Sequence, residues 1–280
     1  GSVEAGTQTT FMVTASEPGT DQYGLVYTWT FGDGNGDTDT GLFSVDHIYG
    51  DEGTGTYTVR VTVDDGEGLP TVVTTTIAVT NVAPSNVDFG GNRTGTEGQL
   101  LSFTGTAEDP STDTLTYAWT FGDGGSANGA NVTHAYGDQG TYTITLVVTD
   151  GDGGSAQQSQ TATISNVAPT VDLGENRNVA EGDSNTFGST VFDPGAAENL
   201  FYVWTITCNQ QMYPGCNGQY SFDTDRQGLG LAQVAATFTR VAPFTLTLVV
   251  TDKDGATGTD SVTIVVANEP PTVDLTVDSQ

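Results

Sequence analysis

One phrase recurs along the chain and constrains what it can fold into. Tyr27-Thr-Trp29-Thr-Phe31 runs into Gly32-Asp33-Gly34, and the whole returns as Tyr117-Ala-Trp119-Thr-Phe121-Gly122-Asp123-Gly124. A reduced copy stands at Tyr202-Val-Trp204-Thr-Ile206. In each copy the Tyr, the Trp and the Phe or Ile are two residues apart, so they point to one face of a strand. Gly-Asp-Gly is turn chemistry, because glycine accepts the positive φ angles of a tight reversal. The repeated unit is therefore a strand with one buried aromatic face that ends in a sharp turn.

The spacing of the copies sets the organisation. Trp29 and Trp119 are 90 residues apart, and Trp119 and Trp204 are 85 apart. Asn81-Val-Ala-Pro84 returns as Asn166-Val-Ala-Pro169 and more weakly as Asn268-Glu-Pro-Pro271. Each proline phrase marks a junction, since proline donates nothing to a ladder and biases its predecessor toward extended geometry. The expected domains are 1–82, with a truncated lead-in, then 83–167, and 168–268 as a modified copy. Residues 269–280 form a further lead-in through Val273-Asp-Leu275.

Within each unit the strands follow one order. Phe11, Val13 and Ala15 alternate inward, matched by Phe103, Gly105 and Ala107, then Phe187, Ser189 and Val191. An acidic turn follows at Glu17-Pro18, Asp109-Pro110 or Asp193-Pro194. The clearest alternation is Tyr57, Val59, Val61, Val63, with counterparts Tyr142, Ile144, Leu146, Val148 and Phe244, Leu246, Leu248, Val250. Apolar inside and mostly Thr outside describes a half-buried antiparallel strand. Helical periodicity is absent. About seven short strands per unit with a core Trp predict an all-β chain of tandem immunoglobulin-like sandwiches in an elongated array. Tyr57 and Tyr142 stand where such folds place a tyrosine whose hydroxyl returns to the backbone.

These phrases resemble the PKD (polycystic kidney disease) domain. Trp-Thr-Phe-Gly-Asp-Gly at 29–34 and 119–124 matches its signature, as do His47-Ile-Tyr49 and His134-Ala-Tyr136, each followed by Gly-Thr-Tyr-Thr. The third unit keeps the Trp strand and the Thr251-Asp252 turn but lacks Gly-Asp-Gly and His-x-Tyr, so it is a degenerate copy. The resemblance implies an extracellular, non-catalytic module serving as spacer or binding unit in surface proteins, adhesins or secreted hydrolases.

Charge narrows the partners. Thirty-five acids against 6 bases give a net charge of −29. That field repels nucleic acid and anionic membrane surfaces and favours cations. No apolar run is long enough for membrane insertion. The two histidines occupy equivalent repeat positions, which points to a structural hydrogen bond rather than catalysis. No Ser-His-Asp or Cys-His set stands out, and the expectation is no enzyme.

Calcium is the expected cofactor. In this topology the turn after the second strand and the last hairpin lie at the same end as the preceding linker. That gathers Asp109, Asp150 and Asp152 with Asn81 in the second unit, and Asp193, Asp252 and Asp254 with Asn166 in the third. Glu4 or Asp51 would add to the first junction, Glu97 or Asp138 to the second. Hard oxygen donors in that number suit Ca²⁺, which takes 6–8; the competing reading is soluble acidic turns. Cys208 and Cys216, eight residues apart, are read as a disulfide, with free thiols the alternative. They clamp an insert in which Met212, Tyr213 and Tyr220 form a candidate binding loop.

The functional expectation is a calcium-stiffened spacer within a large secreted or cell-surface protein, partnered by its neighbouring domains and by extracellular protein or polysaccharide. The alternative is a substrate-binding accessory of a secreted hydrolase.

Overall fold

A computed structural model of the chain describes residues 1–16, 24–34, 39–50, 55–109, 114–195 and 199–270. Glu17-Pro18, Asp51, Pro110, Pro271 and Val273–Leu275 lie outside the described residues. Every regular element described is a strand.

The first set comprises β1 (Ser2–Glu4), β2 (Gln8–Met12), β3 (Val26–Thr30), β4 (Asp39–Thr40), β5 (Ser44–Ile48), β6 (Gly55–Asp64) and β7 (Thr71–Thr80). The second comprises β8 (Ser85–Asp88), β9 (Arg93–Thr96), β10 (Leu100–Thr104), β11 (Thr106–Glu108), β12 (Thr116–Thr120), β13 (Ser126–Asn128), β14 (Asn131–Ala135), β15 (Gly140–Thr149) and β16 (Ser155–Ser165). The third runs β17 (Thr170–Asp172), β18 (Arg177–Ala180), β19 (Ser184–Gly188), β20 (Thr190–Phe192), β21 (Phe201–Cys208), β22 (Tyr220–Phe222), β23 (Gln227–Leu229), β24 (Gln233–Phe238), β25 (Pro243–Thr251) and β26 (Thr257–Ala267). Each set has one five-stranded sheet, ordered β1-β7-β6-β3-β4, β13-β12-β15-β16-β9 and β18-β26-β25-β21-β23. The remaining strands form smaller sheets, including β2-β5, β10-β14 and β19-β24-β22. Two compact units divide the chain: Gly1–Arg93 with Leu101–His134 and Tyr142–Ala162, and Thr94–Leu100 with Ala135–Thr141 and Thr163–Gln280. The first sandwich belongs to one and the third to the other.

The aromatic strand is the centre of each core, as its period requires. Trp29, Trp119 and Trp204 are buried. Their indole N–H groups donate to the carbonyls of Leu42, Gly129 and Leu231 at 3.0, 2.9 and 3.0 Å. The alternating strand beside it supplies Val59 and Val61, Ile144, Leu146 and Val148, or Phe244, Leu246, Leu248 and Val250, all buried. Each such side chain contributes about 1.5–3 kcal/mol on leaving water. The glycines behave as their turn demands: Gly122 has φ +85°, and a Cβ there would stand 2.7 Å from the carbonyl oxygen of Thr143.

The histidines brace these turns. His47 Nε2 lies 2.8 Å from Asp33 Oδ2 and its ring stacks on Phe31 at 3.9 Å. His134 repeats this with Asp123 at 2.7 Å and Phe121 at 4.0 Å. The buried hydroxyl that returns to the backbone in the first sandwich is that of Tyr49, donating to the Phe31 carbonyl at 3.2 Å. Tyr57 stacks on that ring instead, centroids 4.9 Å apart.

One sequence expectation is corrected. The alternation Phe103-x-Gly105-x-Ala107 reads as a single strand, but it is two. β10 pairs with β14 and β11 with β8, and the change occurs at Gly105, whose N–H donates to the Ala130 carbonyl at 2.8 Å. Ser189 does the same with Ala232 at 2.9 Å. The inward period survives the switch of sheets, so periodicity does not reveal it.

Candidate metal centres at the module junctions

Each junction is built on an aspartate that follows a long core strand. Asp150 opens the turn between β15 and β16, and its Oδ1 accepts the N–H groups of Asp152 and Gly154 at 3.0 and 2.8 Å. Its Oδ2 accepts Nδ2 of Asn81, from the linker after β7, at 3.1 Å. Burial pushes the Asp150 carboxyl up, but the Asn81 amide and the N–H groups of Gly154, Asp152 and Gly153 outweigh it and hold the pKa below the usual range. The Oδ1 atom of Asn81 is buried without a hydrogen-bond partner.

The second junction repeats this frame. Asp252 Oδ1 accepts the N–H groups of Asp254 and Ala256, both at 2.9 Å, and Oδ2 accepts Nδ2 of Asn166 at 3.0 Å. More acid then converges on it. Glu97, in the turn after β9, is 3% exposed, and its Oε1 accepts the Val167 N–H at 2.7 Å. Asp193, after β20, accepts the Gly195 N–H at 2.9 Å through Oδ1, while its Oδ2 is buried without a partner. Glu97, Asp138 and Asp254 each bring a carboxylate oxygen within 4.8 Å of the others. Burial pushes the Glu97 carboxyl up; the Val167 N–H opposes that, and the charges of Asp193, Asp252 and Asp254 push it higher.

A cation already reaches this cluster. Lys253, the chain's only lysine, places Nζ 2.5 Å from Asp138 and 3.1 Å from Asp254. Its hydrogen bonds with the two acids raise the ammonium pKa, and its own hydrogen bond chiefly lowers that of Asp138. Sequence reasoning missed this role, although a sole lysine between two turn acids was the signal. The first junction has Gly151 in that place.

The remaining candidates fall as follows. Glu4 is exposed on β1, and Ala5 takes the place that Glu97 has in the second module. The N–H of Ala5 donates to the Thr80 carbonyl at 3.0 Å as that of Glu97 does to Ser165 at 3.1 Å. Asp109 is half-buried after β11. Cys208 and Cys216 form a disulfide, and Cys216 is fully buried. In the insert it closes, Met212 is 69% exposed, whereas Tyr213 and Tyr220 pack against the third core.

The donors fit a hard dication. They are carboxylate and amide oxygens, and Asn81 Oδ1 and Asp193 Oδ2 are buried without partners. Calcium prefers such oxygens. At the second junction Asp138 and Asp254 would have to exchange the Lys253 ammonium for the ion.

Comparison with known proteins bears on what these modules are. The model of the PKD domain matches residues 1–80 and 81–165. The chain belongs to the PKD domain family. Two crystallised PKD1 domains, from Vibrio anguillarum Epp and from the Vibrio cholerae metalloprotease PrtV, are each 29% identical to it. They match 30% of the chain and 96% and 98% of their own lengths, with TM-scores of 0.25 and 0.23. Immunoglobulin domains 1–5 of Sidekick-1 match 96% of the chain at 14% identity and TM-score 0.42, and the match spans 57% of that five-domain chain. A search of curated proteins finds no match. The third PKD-like module keeps the core strands but replaces the Gly-Asp-Gly turn with the disulfide loop. PKD and immunoglobulin-like modules are typically non-catalytic, and the family match is not to an enzyme. No described helix is long and apolar enough to cross a membrane.

Proposed function

We propose that these tandem PKD modules form a non-catalytic spacer and adhesion segment of a larger secreted or cell-surface protein, with calcium stiffening the junctions. The observation that carries the reading is the second junction. There buried Glu97 faces the charges of Asp193, Asp252 and Asp254 beside a buried carboxylate oxygen that lacks a partner. Like charges brought together at low exposure weaken a fold unless a cation answers them. Glu97, Asp138, Asp193 and Asp254 would hold the ion at the second junction, and Asn81 with Asp109 and Asp152 at the first. The ion would supply the positive charge that lets the acids stay ionised while packed. The disulfide supports an oxidising, extracellular setting.

Calorimetry and small-angle scattering with calcium and with chelator test this. Calcium at about 100 times its Kd stabilises by about 2.7 kcal/mol, a rise on the order of 10 °C for a module of this size. A melting temperature and a scattering profile both unchanged by chelation would remove the calcium reading.

The alternative, a polysaccharide- or fibrous-protein-binding accessory of a secreted hydrolase, draws on exposed side chains of the third module. Phe192, Phe201 and Leu229 are 65%, 40% and 64% exposed, and Phe201 and Leu229 are cross-strand partners. Retention on insoluble polysaccharide or collagen that is lost in Phe201→Ser would favour it.

A further inference from the structure

The two junctions differ in two charged positions, and the differences compensate. Glu97 stands where the first junction has Ala5, and Lys253 stands where it has Gly151, while the other acids correspond one to one. The added acid is matched by an added base. Lys253 lies in the turn between β25 and β26 of the third module and reaches Asp138, in the loop between β14 and β15 of the second. It also touches Asp254 in its own turn, so its ammonium links acids of two modules. Water can open this link. The Lys253 and Asp138 side chains are 34% and 41% exposed, and the ammonium has no other partner among the described residues. Exposed ion pairs of this kind hold weakly.

One tethered charge also leaves the cluster unfinished. Glu97 is 3% exposed and brings a carboxylate oxygen within 4.8 Å of those of Asp138 and Asp254. Yet its side chain accepts only the Val167 N–H, and the ammonium does not bond it. Oδ2 of Asp193, whose charge acts on Glu97, is buried without a partner. A dication that takes 6–8 oxygens can gather Glu97, Asp138 and Asp254 together, which the lysine does not. We propose that Lys253 is a tethered counter-ion that bridges Asp138 and Asp254 while calcium is scarce and is displaced from them when the ion binds. The second junction then has two bridged states, held by lysine or by calcium. The first, with glycine in that place, has no lysine-held state. This exchange rests on the calcium reading of the junctions proposed above.

The test titrates calcium chloride into the full chain and follows the heat of binding beside the NMR signals of isotope-labelled lysine. Lys253 is the sole lysine, so its ε-methylene gives one reporter that needs no assignment. As calcium binds, that reporter should move to the shift of a free lysine, over the same concentration range as one of the binding heats. Glu97→Gln should weaken that heat and the shift together. Lys253→Met keeps the stem and removes the charge, and should bind calcium at the second junction about tenfold more tightly, as expected when a positive charge beside a dication is taken away. Lys253→Arg should stay near the parent. Binding heats with an unmoved lysine signal, or affinities indifferent to Lys253→Met, would overturn the exchange and leave the calcium reading standing. No binding heat in any of these chains would overturn both.

Discussion

At the scale of single residues, Glu97 is the least comfortable side chain described. It is buried among acids with one backbone N–H for company, and its pKa is raised. A carboxyl whose pKa rises on folding takes up protons as the chain folds, so its ionisation weakens the fold. Stability therefore falls as pH climbs above the ordinary carboxyl range, and acidification restores it. Glu97→Gln keeps an oxygen for the Val167 N–H and removes the charge. In chelator it should melt several degrees above the parent near neutral pH, with the gap closing toward acid pH. With calcium present the order should reverse, because the variant loses a ligand. Thermal melts across pH, with and without calcium, read all of this. A Gln variant that melts below the parent in chelator would show that the charge is already answered, and Lys253 would then be the cation that answers it.

At the scale of elements, the disulfide replaces a turn motif. The first two modules hold the end of the aromatic strand with Gly-Asp-Gly and a histidine, whereas the third ties Cys208 at the end of β21 to buried Cys216. Closing a loop of this size is worth about 2–3 kcal/mol in chain entropy. The double variant Cys208→Ser, Cys216→Ser should therefore lower the melting of the third module by on the order of 10 °C while leaving the first two unmoved, which calorimetry resolves. Much of this architecture was legible in the sequence, because aromatic residues two apart, Gly-Asp-Gly and the proline phrases are local signals. What was not legible depends on neighbours distant in the chain. Gly105 and Ser189 switch a strand between sheets without breaking its period. Ala5 takes the place of Glu97 one residue from the acid that spacing suggested. Lys253 finds Asp138 from another module, and Tyr213 and Tyr220 turn inward because the clamp brings them onto the core.

At the scale of the whole molecule, the charge of −29 sets how the chain answers its solvent. Acids in excess repel one another in the folded state more than in the expanded one, so added salt should stabilise. Raising sodium chloride from low to physiological strength is expected to lift the melting of all modules by a few degrees. Calcium at a far lower concentration should act chiefly on transitions that involve the junctions. Equal effects at matched ionic strength would reduce calcium to a screening ion.

The parallel pairing of β1 with β7, Ser2 to Ala78 through Glu4 to Thr80, recurs as β18 with β26. In each sandwich these are strands near the two ends through which the chain enters and leaves. When tension draws those ends apart, parallel neighbours slide along one another, and their hydrogen bonds strain together in shear instead of opening one at a time. A module tied in this way yields late and abruptly.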